Sequence, residues 1–138
     1  MSRKILIYGG TGVIGSAIGR LLQSQGDEVY LVGRQADKQQ DLLSLDGVYF
    51  IAADVTKAGV FDQVMEEVGP ELHGLVYAIG SINLGSLRRL GPGDYSRDFE
   101  LNAMGAALAV KAALTALKKG GEAASIVLFS SVAALQGF

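Results

Sequence analysis

The sequence has no cysteine and no tryptophan, a single histidine, His73, and two prolines in 138 residues. Without cysteine there can be no disulfide, thiolate metal site or thiol nucleophile, and a lone histidine has no second imidazole with which to build a metal cluster. Charge is scarce and nearly balanced: twelve Lys plus Arg against fourteen Asp plus Glu leave a formal net charge of -2. No basic block stands ready to neutralise a run of phosphates, so nucleic acid is not expected as a partner. Also missing is any stretch near the roughly 18 uninterrupted apolar residues of a membrane span, and the run Ile5 to Tyr8 is too brief for a signal peptide core. No membrane partner is expected, and the expected location is cytoplasmic. What the chain does have is apolar material, 49% of its residues, and glycine, 19 of 138. That glycine content is about twice the usual share of roughly 7%.

Short apolar runs alternate with longer amphipathic segments, the mark of βαβ units. The runs are Lys4 to Tyr8, Val29 to Val32, Val48 to Ala52, Leu75 to Ile79 and Ser125 to Phe129. They are apolar on both faces, which suits parallel strands covered by helices on both sides. Between them, Ile14, Ile18, Leu21 and Leu22 mark one helical face, ended by Gly26. Phe61, Val64, Met65 and Val68 mark another, ended by Gly69-Pro70. Asp37 to Leu45 reads as a short helix, and Asp94 to Lys119 as the last large one, with Asp94 as N-cap and Gly120-Gly121 as the stop. The expected fold is an α/β, Rossmann-type doubly wound parallel sheet of five strands in the order 3-2-1-4-5. One domain over residues 1–138 is expected.

The segment Gly9-Gly10-Thr11-Gly12-Val13-Ile14-Gly15 lies directly between the first strand and the first helix. In that setting glycines let the main chain turn sharply and approach phosphate oxygens, and the helix N-terminus favours an anion. A plain tight turn is the alternative. No Gly-Lys-Ser or Gly-Lys-Thr follows, so the expected ligand is a dinucleotide and not a triphosphate. At the end of the second strand, where a carboxylate would bond both ribose hydroxyls of NAD, stands Gly33-Arg34. A guanidinium can pair bidentately with a 2′-phosphate, so NADP is expected over NAD; an ordinary solvated arginine is the competing reading.

With these residues in hand, the chain resembles the short-chain dehydrogenase/reductase family over its whole length. Asp54-Val55 is similar to the family's Asp-Val pair at the adenine, although Asp54 could instead cap the next helix. Tyr77-Ala78-Ile79-Gly80 takes the place of the family's Asn-Asn-Ala-Gly, so the resemblance assigns Ala78, Ile79 and Gly80 to the cofactor and departs at both Asn positions. Phe99 to Gly105 resembles the segment whose Asn, here Asn102, loosens a helical turn and holds a water in a proton relay. An Asn bonded to a neighbouring backbone carbonyl, with no chemistry, is the alternative. Ile126 to Gly137 looks like the fifth strand and serine loop of the classical branch, in which Ser131 would hydrogen-bond a substrate carbonyl. The glycine spacing Gly9, Gly12, Gly15 is closer to the extended branch of epimerases and dehydratases.

The resemblance implies hydride transfer between NADP(H) and a small-molecule carbonyl or alcohol, with a Tyr about 13 residues beyond the serine as general acid/base and a Lys four residues later. The sequence stops at Phe138, seven residues past Ser131, and Tyr8, Tyr30, Tyr49, Tyr77 and Tyr95 all precede it. The domain is therefore expected to be incomplete at its C-terminus, cut before a sixth strand, and inactive alone. The same reading leaves Ser125 to Phe129 as an exposed sheet edge, from which a homo-oligomer or completion by a further segment is expected. A dinucleotide sensor or regulatory module, and a structural fragment with no separate role, are the competing functions.

Overall fold

The apolar runs become five strands in a computed structural model that describes residues 2–136: β1 (Lys4–Tyr8), β2 (Glu28–Gly33), β3 (Val48–Ala52), β4 (Gly74–Tyr77) and β5 (Ser125–Leu128). Gly137, at the end of the serine-loop segment, lies outside the described residues. All four strand pairings are parallel, and the order is β3-β2-β1-β4-β5, as expected. β4 ends two residues before the expected Ile79 because its partner β1 leaves the sheet at Tyr8, the residue paired with Tyr77. One more bond, Ala78 N–H to the Tyr8 carbonyl at 2.8 Å, carries the pairing into the loop.

The helices are α1 (Val13–Ser24), α2 (Gln40–Leu43), α3 (Val60–Val68), α4 (Pro92–Phe99) and α5 (Gly105–Lys119). A 3-10 turn, Asp37–Gln39, precedes α2, so the expected Asp37 to Leu45 helix is shorter and tighter at its start. The inward face of α1 also differs from expectation. Ile14 and Leu21 are exposed, while Gly15, Ser16 and Gly19 are buried and Ile18 and Leu22 pack against the core. Small residues let this helix approach so closely that a Cβ at Gly19 would lie 3.1 Å from Leu31 Cδ2.

Asp94 is not the N-cap of the long helical segment. The cap is Gly91, Pro92 fills the first helical position, where its missing N–H costs nothing, and Asp94 is third. From there its carboxylate accepts the Gly91 N–H at 2.9 Å, one half of a capping box. Nor is the segment a regular α-helix, since a π turn over Glu100–Met104 separates α4 from α5. Together these pieces are long and apolar enough to cross a membrane by length and composition, but Ala109, Ala113, Ala116 and Leu117 pack into the core.

Strand alternation divides the core between the two faces of the sheet. Leu6, Tyr8, Leu75 and Tyr77 meet Phe61, Val64 and Val68 of α3 and the alanines of α5, whereas Ile5, Ile7, Leu31 and Val76 meet Leu42 of α2 and the inner edge of α1. Among the described residues β5 pairs only with β4, and all its residues are exposed.

Candidate dinucleotide site

Two clefts open at the carboxyl ends of the strands, where the sheet order switches direction between β1 and β4. This is the position at which open α/β sheets bind ligands. The narrower cleft, of ≈ 420 Å³, includes Gly9, Thr11, Gly12, Arg34, Asp54, Val55, Ala78, Ile79 and Gly80 in its walls. Residues from four separate stretches of sequence are thereby brought to one site.

The glycine turn is shaped by contact with β4 and with itself. Gly9 has φ +77°, and a Cβ on it would lie 2.7 Å from the Ala78 carbonyl oxygen. A Cβ on Gly15 would collide with the Gly9 carbonyl, which lets α1 start directly above the turn. Gly10 packs against Leu31, so Gly10 and Gly15 build the floor and do not line the cleft. Val13 and Ile14 do not line it either; their side chains point to solvent, 89% and 54% exposed. Their contribution to a ligand would be main-chain only. The first intrahelical bond runs from Ser16 N–H to the Gly12 carbonyl, which leaves the N–H groups of Val13, Ile14 and Gly15 for an anion. Gly33 makes room for the Thr11 side chain, since a Cβ there would lie 2.5 Å from Thr11 Oγ1.

Asp54 does not cap α3, whose N-cap is Gly59. Its Oδ1 instead accepts the Thr56 hydroxyl at 2.7 Å and the Thr56 N–H at 3.0 Å, forming a local turn. Those bonds, helped by nearby Lys57 and Arg34, hold the Asp54 carboxyl below its ordinary value, so it is ionised and acts only as an acceptor. Oδ2 has no hydrogen-bond partner among the described residues. Arg97 of α4 also lines this cleft, and the sequence reading missed it, along with Thr56, Ser81 and Leu101. Helical spacing offered a signal, because Arg97 and Leu101 are four residues apart and share a face.

The wider cleft, of ≈ 1070 Å³, adjoins the first along Ile79 to Ser81 and is lined by Asn102 and Ser131 among others. Asn102 lies within the π turn and is exposed, with both ends of its amide bonded to one residue. Ser81 N–H donates to Asn102 Oδ1 at 2.8 Å, and Asn102 Nδ2 donates to the Ser81 carbonyl at 2.6 Å. The backbone partner foreseen as an alternative exists, but across the fold and not within the helix. Ser131 Oγ accepts the Ala133 N–H at 3.1 Å, capping a 3-10 turn over Val132–Ala134, which leaves the hydroxyl proton free to donate. Burial moves tyrosine acidity the wrong way for a base: Tyr30 and Tyr77 are pushed up to about 12, and Tyr8 higher still.

Comparison with known proteins agrees with this geometry. An uncharacterised oxidoreductase of Staphylococcus aureus (strain MRSA252) is 30% identical over 147 residues, covering 100% of this chain and 61% of the relative. A short-chain type dehydrogenase/reductase from Mycobacterium ulcerans superposes with a TM-score of 0.86 at 28% identity, covering 100% of this chain and 55% of that one. The NADP active-site complex of Pseudomonas aeruginosa RhlG has the same fold, with a TM-score of 0.88 at 23% identity over 99% of this chain and 57% of that one. The chain thus spans little more than half the length of the proteins it matches. The short chain dehydrogenase family itself matches residues 3–138, and with a glycine turn, parallel sheet and cleft of this form, the chain belongs to that family.

Proposed function

We propose that residues 1–138 form the NADP(H)-binding part of an oxidoreductase acting on a small-molecule carbonyl or alcohol. The carrying observation is the convergence of Gly9, Gly12, Arg34 and Asp54 on one cleft at the switch point of the sheet. The cradle fits a dinucleotide: the main chain is bare where a Cβ would fill the turn, N–H groups at the start of α1 face outward, and cations stand nearby. Arg34 takes the 2′-phosphate, which favours NADP over NAD. Asp54, with Oδ2 unbonded among the described residues, and the Val55 backbone would hold the adenine end. Ala78, Ile79 and Gly80 line the narrower cleft, Ile79 and Gly80 border the wider one as well, and all three would hold the cofactor there.

A bound nicotinamide supplies hydride transfer. The Ser131 hydroxyl would donate a hydrogen bond to the substrate carbonyl oxygen without giving up its proton, and Asn102 keeps the partition between the clefts in place. Burial keeps the phenols of Tyr8, Tyr30 and Tyr77 protonated at neutral pH, and the proton-transfer step is assigned, on the family resemblance, to a Tyr outside residues 1–138.

Fluorescence titration tests the assignment. NADPH should bind more tightly than NADH, and Arg34→Ala should weaken NADPH roughly tenfold or more while sparing NADH, because hydrogen bonds to charged groups contribute about 1.5–3 kcal/mol. Equal or tighter NADH binding refutes the cofactor choice. Carbonyl reduction by the isolated chain above background would refute the external proton donor.

A further inference from the structure

Tyr77 stands where the family carries an Asn, and its hydroxyl has a specific task. It donates to the Leu101 carbonyl oxygen at 2.6 Å. That carbonyl is available because Gly105 N–H bonds the Glu100 carbonyl, five residues back, and not Leu101, four back. In a regular α-helix the phenol would have to share a carbonyl already bonded within the helix, and the π turn without the phenol would leave that carbonyl without this bond beside a buried ring. Residue 105 is constrained by the same contact. A Cβ there would collide with the Tyr77 hydroxyl oxygen and would stand 3.1 Å from the Glu100 carbonyl oxygen. The turn held in this way sends successive residues to different clefts, Leu101 to the narrower and Asn102 to the wider, where Asn102 bonds both backbone groups of Ser81.

We infer that Tyr77 is a positioning residue of the site: its hydroxyl holds the π turn open, so that Leu101 walls the nucleotide cleft and Asn102 clamps the Ser81 backbone between the two clefts. The consequence for binding rests on the dinucleotide reading above; the mechanical claim does not.

The test uses Tyr77→Phe, Gly105→Ala and the double variant in the full chain. Three measurements are made on each: NADPH affinity, hydrogen exchange of the Ser81 amide, and the Asn102 side-chain amide resonances. Tyr77→Phe should speed Ser81 exchange, shift the Asn102 resonances and weaken NADPH binding roughly fivefold, the low end of typical coupling between sites. Gly105→Ala should be harmful beside the native Tyr77 and much milder in the Tyr77→Phe background, where the colliding oxygen is gone, so the two substitutions should be non-additive. Failure of Gly105→Ala to fold beside the native Tyr77, with folding restored in the double variant, would be the strongest form of that support. Unchanged Ser81 exchange in Tyr77→Phe, or equal damage from Gly105→Ala in both backgrounds, overturns the inference. If the unmodified chain binds neither NADPH nor NADH, the functional reading fails, and exchange and non-additivity still decide the role of Tyr77.

Discussion

Tyr8 is the one described residue whose buried side chain carries an unanswered polar atom. Its ring is fully buried, with centroids 5.5 Å from Phe61 and 5.9 Å from Tyr77, and its hydroxyl has no hydrogen-bond partner. An unsatisfied buried hydroxyl costs about 1–3 kcal/mol. Tyr8→Phe keeps the ring contacts and removes the penalty, so stability to urea should stay level or rise by about 1 kcal/mol. A loss of that size would show that the hydroxyl has a partner in solution. The contrast with Tyr77 marks the limit of reading single residues from sequence. Both tyrosines lie in apolar strand runs and look alike in sequence, yet one hydroxyl meets a carbonyl 24 positions away and the other has no partner. That Arg34 and Asp54 reach the cleft was legible because Arg34 follows β2 at once and Asp54 follows β3 after a single residue, so the place of each is fixed by its own strand. Arg97 was not, because its relation to the cleft depends on how α4 lies over the end of the sheet.

Among the elements, the glycine turn and α1 separate fold from binding most cleanly. Gly15 lies against the Gly9 carbonyl, and Gly12 is exposed, its nearest neighbour to an added Cβ being the Gly9 oxygen at 3.4 Å. Gly15→Ala must push α1 off the turn and should cost about 1–3 kcal/mol, the usual cost of overpacking. NADPH binding should fall with it. Gly12→Ala should change stability little and still weaken NADPH, because its methyl group enters the cleft. Thermal melts paired with titrations check both variants, and a stable Gly15→Ala that binds normally would remove the proposed geometry of the turn. The strands and their order were readable because short apolar runs alternate with longer amphipathic segments and crossover rules leave few topologies, although β5 itself is exposed and not covered on both faces. Two features of the helices were not readable. The start of α4 was misplaced because Asp suits both the cap and the third position, and the glycine that does cap carries no side-chain signal. The π turn was implied by resemblance alone; no local preference of Glu100 to Met104 encodes a bond to the fifth residue back, and its support comes from Tyr77 on another element.

For the molecule as a whole, the β5 edge is a continuous run of exposed apolar residues. Ile126, Val127, Leu128 and Phe129 are 41%, 44%, 56% and 51% exposed, and β5 has a partner strand on one side only. Unpaired backbone groups flanked by apolar side chains are a template for another strand, and natural proteins protect such edges with charge, bulges or cover. Here the strand Ser125–Leu128 carries no charge at all. Leu108 and Leu114 of α5 are also exposed, 40% and 45%, on a helix otherwise rich in alanine. Charge gives little protection against association, since the net value is only -2. The chain in isolation should therefore self-associate, with an average mass by light scattering that rises with concentration. Val127→Lys places a charge in the middle of the edge and should lower that mass. NADPH affinity should be unaffected, because Val127 lines neither cleft. A chain that stays monomeric at every concentration would show that the edge is protected by something other than a partner. A Val127→Lys variant that associates as before would move the contact to the outer face of α5.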